Sequence, residues 1–522
     1  MIAPAATFAD RVLRLLPLVL CVAAIAVDIG MIDLKGISTD EGFRLGIVNG
    51  GHAFIPHPHA PWPSFGDVLR TVEPHAYQPG YYLFLNSLMR VFGRQDLFFF
   101  RIINVGVLAI CLAGLLSLSR DWPGWPRAFL IGSFAFNAYL SMHVLQIREY
   151  ILAVAIYIWG TYLVLHLDRR VLTQVWADIG CFAGYGLLLC LGFYVQTWTV
   201  FPAIAQGIFL VFRKRHQQLR LLAHLALSYL VVVALVWPYL RANPQKVNVG
   251  LWEREKVTLF GQLANGFHLV LTGHTVGHSW FTSLLPLVWL TLVVSAAWLL
   301  WRRRGELPAY LAVETTRQVY LMLLSCLIPL AFQIGYYYLI EPLSVWPRYF
   351  IVHYFFLYWL IALAFRLLHA NIGPATYRPL LATASILLAC SAVYQVSSYW
   401  RDPYFDTSTS ANSNWRVIAR ALQGLLRPDD IVLSSDFVTR STLSATCPVP
   451  NPSLTLQELE TADLSSAPRL IYVESASYRL TRSDLLRRMA NRGYPRMQEW
   501  QIPAGDNSGP VPDWCLLTFS LR

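Results

Sequence analysis

Two adjacent carboxylates, Asp40 and Glu41, follow the first apolar run of the chain, in the stretch Gly36–Phe43. A carboxylate at the edge of a membrane can act as a general base, bind a metal ion or pair with a basic side chain. The alternative without chemistry is a solvated pair that contacts Arg44 or Lys35. Of all the features of the sequence, this pair indicates a reaction most directly.

Two arginines lie at the predicted outer ends of apolar segments. Arg148 occupies a tight turn between two such segments, and Arg348 opens a later one. A guanidinium keeps its charge and can bind two phosphate oxygens at once, which suits a phosphate or pyrophosphate ligand. The alternative is an interfacial arginine that extends its charged end to water. Because both arginines and the acidic pair are predicted on one face of the membrane, the sequence favours a shared site for an anionic lipid.

Histidines and cysteines carry weaker signals. His57 and His59 have a spacing that an extended segment can use to bind a metal ion, but the loop matches no known metal-site template. We therefore predict no metal site and no certain cofactor, and a divalent cation stays an open alternative. Cys447 and Cys515 both fall in the region predicted to be exported, where a disulfide can form. The sequence does not show whether these two cysteines pair.

The composition predicts an α-helical polytopic membrane protein. The 522 residues are 56% hydrophobic and 14% charged, whereas soluble domains contain about 25% charged residues. Apolar runs recur at close to the length that spans about 30 Å of hydrocarbon. About eleven spans fit the pattern: 12–34, 98–119, 128–146, 150–167, 177–195, 198–212, 221–240, 281–301, 318–340, 348–366 and 378–399.

The distribution of arginine predicts the orientation of these spans. With a cytoplasmic N-terminus, the short basic loops all fall on the cytoplasmic side, and an odd number of spans places the C-terminus outside. The tail 400–522 carries 13 arginines and 13 acidic residues, so the net charge of +11 resides in the membrane part. The charge is therefore a topology signal, with contact to anionic membrane lipid as a secondary effect, and it implies no nucleic-acid partner.

Three regions are predicted on the non-cytoplasmic face. The first loop, 35–97, contains the apolar stretch Pro79–Met89, which is too short to span and is interpreted as an interfacial helix with Pro79 in its first turn. The second is the loop 241–280. The tail 400–522 is interpreted as a small α/β domain, so we divide the chain into a membrane domain, 1–399, and this extracytoplasmic domain.

The predicted tail alternates between helices and strands, which is typical of a parallel or mixed sheet. Its predicted helices are Trp415–Leu426 and Ser483–Asn491, and its predicted strands are Ile431–Leu433, Arg469–Val473 and Cys515–Phe519.

The motifs, taken in order, resemble those of the GT-C membrane glycosyltransferases. Asp40-Glu41-x-Phe43 resembles the Asp-Glu-x-aromatic motif that follows their first span, and Gln78–Leu83 is similar to their Pro-Pro-Leu-Tyr-Tyr segment. Gln146–Tyr150 resembles their Glu-Ala-Arg-x-Tyr turn, and Arg348-Tyr349 the Arg-Tyr that opens a late span. The segment Trp415–Val432 is similar to the entry of their exported domain. Relatives in this class include protein O-mannosyltransferases and the lipid A aminoarabinose and galacturonosyl transferases.

The resemblance implies an inverting transferase, hexosyl or pentosyl, that moves a sugar from a polyprenyl-phosphate donor to a hydroxyl on lipid A, a glycan or a protein. Asp40 is expected to be the general base, and Glu41 to orient the acceptor or share that role. Arg148 and Arg348 are expected to hold the donor phosphate. The candidate substrate-pocket residues are Tyr150, Tyr349, His75, Tyr81 and Tyr82.

Two other functions fit a polytopic chain. A transporter or flippase of lipid-linked sugars would be expected to carry charged residues along the middle of its spans and inverted repeats, and neither stands out in the sequence. A periplasmic glycan polymerase or ligase shares the outer-face chemistry. The resemblance places the protein in a bacterial inner membrane, with the N-terminus cytoplasmic and the C-terminal domain periplasmic.

Overall fold

The structure is a computed structural model. It describes residues 8–32, 39–48, 63–72, 78–94, 96–169, 175–213, 218–242, 258–273, 279–302, 309–339, 347–371, 386, 389–394, 396–397, 415–434, 440, 443, 453–456, 458–460, 462, 464, 468–473, 482–501 and 515–520.

Helices make up most of the chain before residue 400. In chain order they are α1 (Phe8–Met31), α2 (Thr39–Val48), α3 (Phe65–Val72), α4 (Gly80–Phe92), α5 (Leu97–Leu118), α6 (Gly124–Ala135), α7 (Ala138–Leu145), α8 (Tyr150–Arg169), α9 (Val175–Val195), α10 (Val200–Arg213), α11 (Gln218–Ala242), α12 (Leu259–Thr272), α13 (Trp280–Arg302), α14 (Ala309–Leu339) and α15 (Ile351–Asn371).

Within the described residues, six helices are long and apolar enough to cross a membrane. The number of candidate spans is seven if the bent pair α6–α7 is counted as one span. Shorter apolar helices occupy the predicted spans at 198–212, 221–240 and 281–301. The last predicted span, 378–399, falls largely outside the described residues, so the number eleven stays a prediction. The chain is a membrane protein built from apolar helices.

The predicted span 128–146 is a broken helix in the structure. Its two halves, α6 and α7, meet at an angle of 55°. Asn137 lies at the break, and its side-chain oxygen accepts a hydrogen bond from the backbone N–H of Tyr139 at 2.8 Å. The Asn137 amide donates to the hydroxyl of Tyr358 at 2.6 Å and to the carbonyl of Val270 at 3.1 Å. A polar side chain thus starts a new helix inside an apolar segment and ties it to its neighbours.

The chain divides into two compact units. The first comprises residues 1–31, 102–145 and 149–401, and the second comprises 32–101, 146–148 and 402–522. The structure therefore groups the first loop and the turn at Arg148 with the region of the tail. The sequence-based boundary between 399 and 400 stays a prediction.

The tail contains a five-stranded mixed sheet. Its strands are β1 (Ile431–Ser434), β2 (Ser453–Thr455), β3 (Arg469–Val473), β4 (Arg496–Gln501) and β5 (Cys515–Ser520), in the order β2-β1-β3-β5-β4. Strand β1 pairs in parallel with β2 and β3, and β5 pairs antiparallel with β3 and β4. The described tail helices are α16 (Trp415–Leu425) and α17 (Arg482–Asn491). Leu433, Leu470 and Phe519 lie in its core.

Ion pairs fix the loops around this sheet. Asp430 is fully buried before β1, and it accepts hydrogen bonds from the guanidinium of Arg469 and from the backbone N–H of Arg427. Burial acts to raise the pKa of Glu458. Hydrogen bonds from the Thr455 backbone N–H and from Arg440 outweigh that effect, so the pKa is lowered. The Glu458 carboxylate therefore stays charged at neutral pH.

The central helix of the first unit is α15. It packs against α6, α8, α13 and α14. Of the residues in its most apolar membrane-length stretch, 89% are buried. A helix that is apolar all round suits such a position. The 3-10 helix Pro347–Phe350 leads directly into α15 and carries Arg348.

Helix α12 supports that 3-10 helix at close range. Although α12 lies in a segment predicted to be a loop, it forms 14 residues of helix capped by Thr258, whose hydroxyl accepts from the backbone N–H of Gly261. Gly266 of α12 presses its backbone against the ring of Phe350, and a Cβ at this position would overlap the ring. The absence of a side chain at Gly266 therefore sets the position of Pro347–Phe350.

We predict that Gly266→Ala destabilises the first unit by about 1–3 kcal/mol, because the added methyl overpacks a close contact. Thermal unfolding of the purified protein in detergent measures the effect. The matched control is Gly184→Ala, because nothing lies within 4 Å of a Cβ at that helical position, and alanine there should leave the unfolding temperature unchanged or raise it slightly. Equal unfolding temperatures for the two variants would contradict this packing.

Candidate functional site

The predicted acidic pair lies in the first turn of helix α2. Asp40 and Glu41 are its second and third residues. The side chain of Asp40 lies outside the described residues, and its backbone is helical. A carboxylate in the first turn of a helix is stabilised by the positive end of the helix dipole. The backbone of Asp40 is placed in such a first turn, and its role as a base stays a prediction.

The side chain of Glu41 is fully buried and paired. Its oxygens lie 3.2 and 3.4 Å from Nη2 of Arg101, and neither side chain is exposed to solvent. The backbone N–H of Ile147 donates to the same carboxylate at 3.0 Å. Nη1 of Arg101 donates to the carbonyl of Ile32 at 2.7 Å. One carboxylate thus joins α2, the start of α5 and the turn that precedes α8.

Helix α4 holds the rest of α2. Arg44 is buried, and its guanidinium donates to the hydroxyl of Tyr82 at 2.7 Å. The amide of Asn86 donates to the carbonyl of Val48, the last residue of α2, at 3.0 Å. Tyr81 is buried and meets the ring of Tyr82 edge-to-face. Helix α2 is therefore anchored at its first turn by Glu41, in its middle by Arg44 and at its end by Asn86.

Helix α3 packs beside α4 and begins with a reciprocal cap. The Ser64 hydroxyl accepts from the backbone N–H of Asp67 at 3.2 Å, and the Asp67 carboxylate accepts from the backbone N–H and hydroxyl of Ser64, each at 2.7 Å. These hydrogen bonds, with that from Arg70, lower the pKa of Asp67 to about 2. This arrangement is a capping box. The guanidinium of Arg90 in α4 donates to the carbonyl of Pro63, just before α3.

Arg148 lies in the turn that binds Glu41. It follows Ile147 directly, its side chain is buried, and its backbone N–H donates to the carbonyl of Gln146 at 2.8 Å. The second unit therefore brings the turn of Arg148 together with the helix of the acidic pair. This is the part of the predicted site that the described contacts assemble.

Arg348 and Tyr349 belong to the first unit. Both lie in the 3-10 helix Pro347–Phe350, and the side chain of Arg348 is outside the described residues. The ring of Tyr349 stacks on that of Trp198, with centroids 5.3 Å apart and planes 15° apart. The convergence of Arg348 with Asp40 and Arg148 stays a prediction.

Tyr150 is buried at the start of α8, where its ring meets that of His143 with centroids 4.7 Å apart. Other predicted residues fall outside the description. His75, His57, His59 and Cys447 are not described, and Cys515 is described only as backbone in β5. Within the described part of the chain, no group of three or more His, Cys, Asp or Glu side chains could hold a metal ion.

Sequence reasoning missed Arg101 and Asn86. A buried arginine inside the apolar run of α5 is costly in a membrane and is therefore a visible signal of function or pairing. Its partner, Glu41, is 60 positions away, and no local spacing predicts that pair. Asn86 lies in the stretch Pro79–Met89, which the sequence analysis correctly predicted to be helical.

The similarity of this chain to known proteins lies in its structure, since no family model and no curated protein matches the sequence. The chain is similar to ArnT from Cupriavidus metallidurans bound to undecaprenyl phosphate, with a TM-score of 0.54 and 13% identity. The alignment covers 96% of this chain and 97% of that chain. The apo state of the same ArnT gives a TM-score of 0.53 and 14% identity over the same shares of the two chains.

Identities this low show the fold alone. The similarity nevertheless extends over almost the full length of both chains. The resemblance that the ordered sequence motifs indicated is confirmed as a shared fold, that of ArnT from Cupriavidus metallidurans.

Proposed function

We propose that this protein is a membrane glycosyltransferase that moves a sugar from a polyprenyl-phosphate donor to a hydroxyl acceptor, with inversion at the anomeric carbon. The GT-C fold supports this proposal, and one structure of that fold, ArnT, has been determined bound to undecaprenyl phosphate. The acceptor classes are lipid A, another glycan or a protein. The reaction occurs on the periplasmic face of a bacterial inner membrane.

The observation that carries the proposal is the shared anchor of α2 and the Arg148 turn. Glu41 accepts a hydrogen bond from the backbone N–H of Ile147. This hydrogen bond joins the segment that carries Asp40, the candidate base, to the segment that carries Arg148, the candidate phosphate ligand. A base beside a fixed positive charge suits an acceptor hydroxyl that meets a sugar phosphate.

In the proposed reaction, the Asp40 carboxylate takes the proton of the acceptor hydroxyl. The acceptor oxygen bonds to the anomeric carbon as the bond from that carbon to the phosphate oxygen breaks. The leaving polyprenyl phosphate gains negative charge, which Arg148 and Arg348 stabilise as the bond breaks. Tyr81, Tyr82, Tyr150, Tyr349 and His75 are the proposed pocket residues.

Glu41 contributes by position in this proposal. Its carboxylate already accepts from Arg101 and from Ile147 and has no exposed surface. A group held this way fixes the first turn of α2, and with it the backbone of Asp40. We therefore propose Asp40 as the base and Glu41 as the residue that positions it.

The first experiment reconstitutes the protein with a labelled polyprenyl-phosphate sugar and a membrane-lipid acceptor fraction. We predict that Asp40→Asn lowers the transfer rate by about 10²–10⁴-fold, because a positioned base contributes that much. The matched control is Asp67→Asn, which removes the charge of a carboxylate in the same predicted loop that is 29% exposed. Asparagine can keep the hydrogen bonds of the helix cap, so the rate should stay within about twofold of that of the unmodified protein. Thermal unfolding of Asp40→Asn should be unchanged.

Two results would contradict the assignment. Full transfer by a folded Asp40→Asn variant excludes Asp40 as the base. Label that crosses the bilayer without covalent transfer favours a flippase and excludes the transferase.

The second experiment separates positioning from chemistry. Glu41→Gln and Arg101→Gln each leave one buried partner uncompensated, which typically costs about 3–5 kcal/mol. We predict that both variants lose thermal stability and transfer activity together. Arg94→Gln is the control, because Arg94 pairs with Asp96 at the exposed surface and such a pair contributes about 0–1 kcal/mol. A Glu41→Gln variant with normal stability and no activity would instead assign Glu41 a direct role with substrate.

A further inference from the structure

A basic cavity opens at the predicted cytoplasmic side of the first unit, at the end of α1 opposite the acidic pair in the sequence-based topology. Its volume is about 550 Å³. Arg14 of α1, Arg120 of the connection between α5 and α6, and Arg127 of α6 all line it. The three guanidinium groups come from separate segments, so the chain fold, and not one run of basic residues, creates the cavity.

The positive charge of this cavity is not balanced by its lining. Asp121 is the carboxylate among the lining residues, and it pairs with Arg120 at 3.5 Å, where both side chains are 67% exposed. No ion pair involves Arg14 among the described residues. Arg127 donates through Nη2 to the carbonyl of Leu116 at 2.8 Å, and its buried Nε has no hydrogen-bond partner among the described residues.

Two other helix-end arginines of this unit, Arg169 and Arg213, are paired with carboxylates, whereas Arg14 is not in the described part of the chain. Arg169 at the end of α8 lies 2.5 Å from Glu314. Arg213 at the end of α10 lies 3.5 Å from the buried carboxylate of Asp168, which Arg317 also contacts at 3.0 Å. An excess of arginine in cytoplasmic loops explains the presence of Arg14 and Arg127, but it does not explain why they share a cavity that has too few carboxylates.

The walls of the cavity are closely packed. The indole of Trp122 packs against that of Trp359, with centroids 5.0 Å apart, and the guanidinium of Arg366 lies over its ring. Gly124, the first residue of α6, meets the carbonyl of Leu13 so closely that a Cβ would lie 2.6 Å from that oxygen. Pro123 caps α6 without a side-chain hydrogen bond. The positive end of this helix therefore faces the same cavity lining and adds to its preference for an anion.

The surroundings favour a lipid over a soluble anion. Leu15 and Leu18, which follow Arg14 on α1, are 59% and 53% exposed, and Trp125, beside Gly124, is 40% exposed. Exposed apolar side chains of this kind suit acyl chains, and an exposed tryptophan beside basic groups suits the headgroup region. A ligand that satisfies both parts has a phosphate on an apolar tail.

We propose that this cavity binds the phosphate of an anionic phospholipid headgroup in the cytoplasmic leaflet. Arg14 and Arg127 contact the phosphate oxygens, the start of α6 contributes its positive end, and the acyl chains lie along the exposed face of α1. The site is separate from the proposed transfer reaction and does not depend on it.

The test is native mass spectrometry of the full chain in detergent with phosphatidylglycerol, phosphatidylcholine or inorganic phosphate. We expect phosphatidylglycerol to bind at least about tenfold more tightly than phosphatidylcholine, because its headgroup carries a net negative charge, whereas the choline ammonium of phosphatidylcholine cancels the charge of the phosphate beside it. Arg14→Gln and Arg127→Gln should each weaken phosphatidylglycerol binding about tenfold. Arg14→Gln cannot fail through lost internal contacts, because Arg14 makes no described ion pair. Arg302→Gln, which removes an exposed helix-end arginine elsewhere, is the matched control and should leave binding unchanged.

Three results would overturn the proposal. Equal binding of the two lipids excludes an anionic headgroup site. Unchanged binding in Arg14→Gln places the lipid elsewhere. Inorganic phosphate that binds as tightly as phosphatidylglycerol assigns the cavity to a soluble anion instead of a lipid.

Discussion

The buried pair of Glu41 and Arg101 is the interaction on which the candidate site depends. Both side chains are fully removed from solvent, so each charge has lost its hydration and relies on its partner. The pair also forms hydrogen bonds with backbone groups, the N–H of Ile147 and the carbonyl of Ile32. A charge network of this kind stabilises little in itself, but it tolerates only one arrangement of the segments that it joins.

That single arrangement is what a transferase would require of its base. The first turn of α2 is fixed by Glu41, its middle by the hydrogen bond from Arg44 to Tyr82, and its end by the hydrogen bond from Asn86 to Val48. Asp40 therefore starts from a constrained backbone. Preorganised groups lower a reaction barrier because they need no rearrangement at the moment of reaction. In the proposed function, the stability of α2 and the rate of transfer are two consequences of the same contacts.

Hydropathy predicted the long helices well, because a bilayer requires long continuous apolar segments. It could not predict the bend at Asn137, which depends on hydrogen bonds to Tyr358 and Val270 far along the chain. In the tail, the apolar strands β1, β3 and β5 were predicted. The three-residue β2 and the polar edge strand β4 were missed, because a polar edge strand has little alternation to recognise.

In the candidate site, too, the sequence indicates single residues but not the contacts between distant ones. Asp40, Glu41 and Arg148 stand out locally by type and position, whereas the role of Arg101 follows only from a contact across 60 positions. Arg14 and Arg127 were visible as topology signals, but their shared cavity was not, since a hydropathy pattern counts charges without showing where they meet.

The central claim is that Glu41 and Arg101 act as one unit in holding α2. A double-mutant cycle with Glu41→Gln, Arg101→Gln and the double variant, measured by the free energy of unfolding, tests it most directly. The account predicts a coupling free energy between the two side chains of at least about 1 kcal/mol. The double variant should then be no less stable than the less stable of the two single variants. Losses that simply add would contradict it, because the two side chains would then act independently.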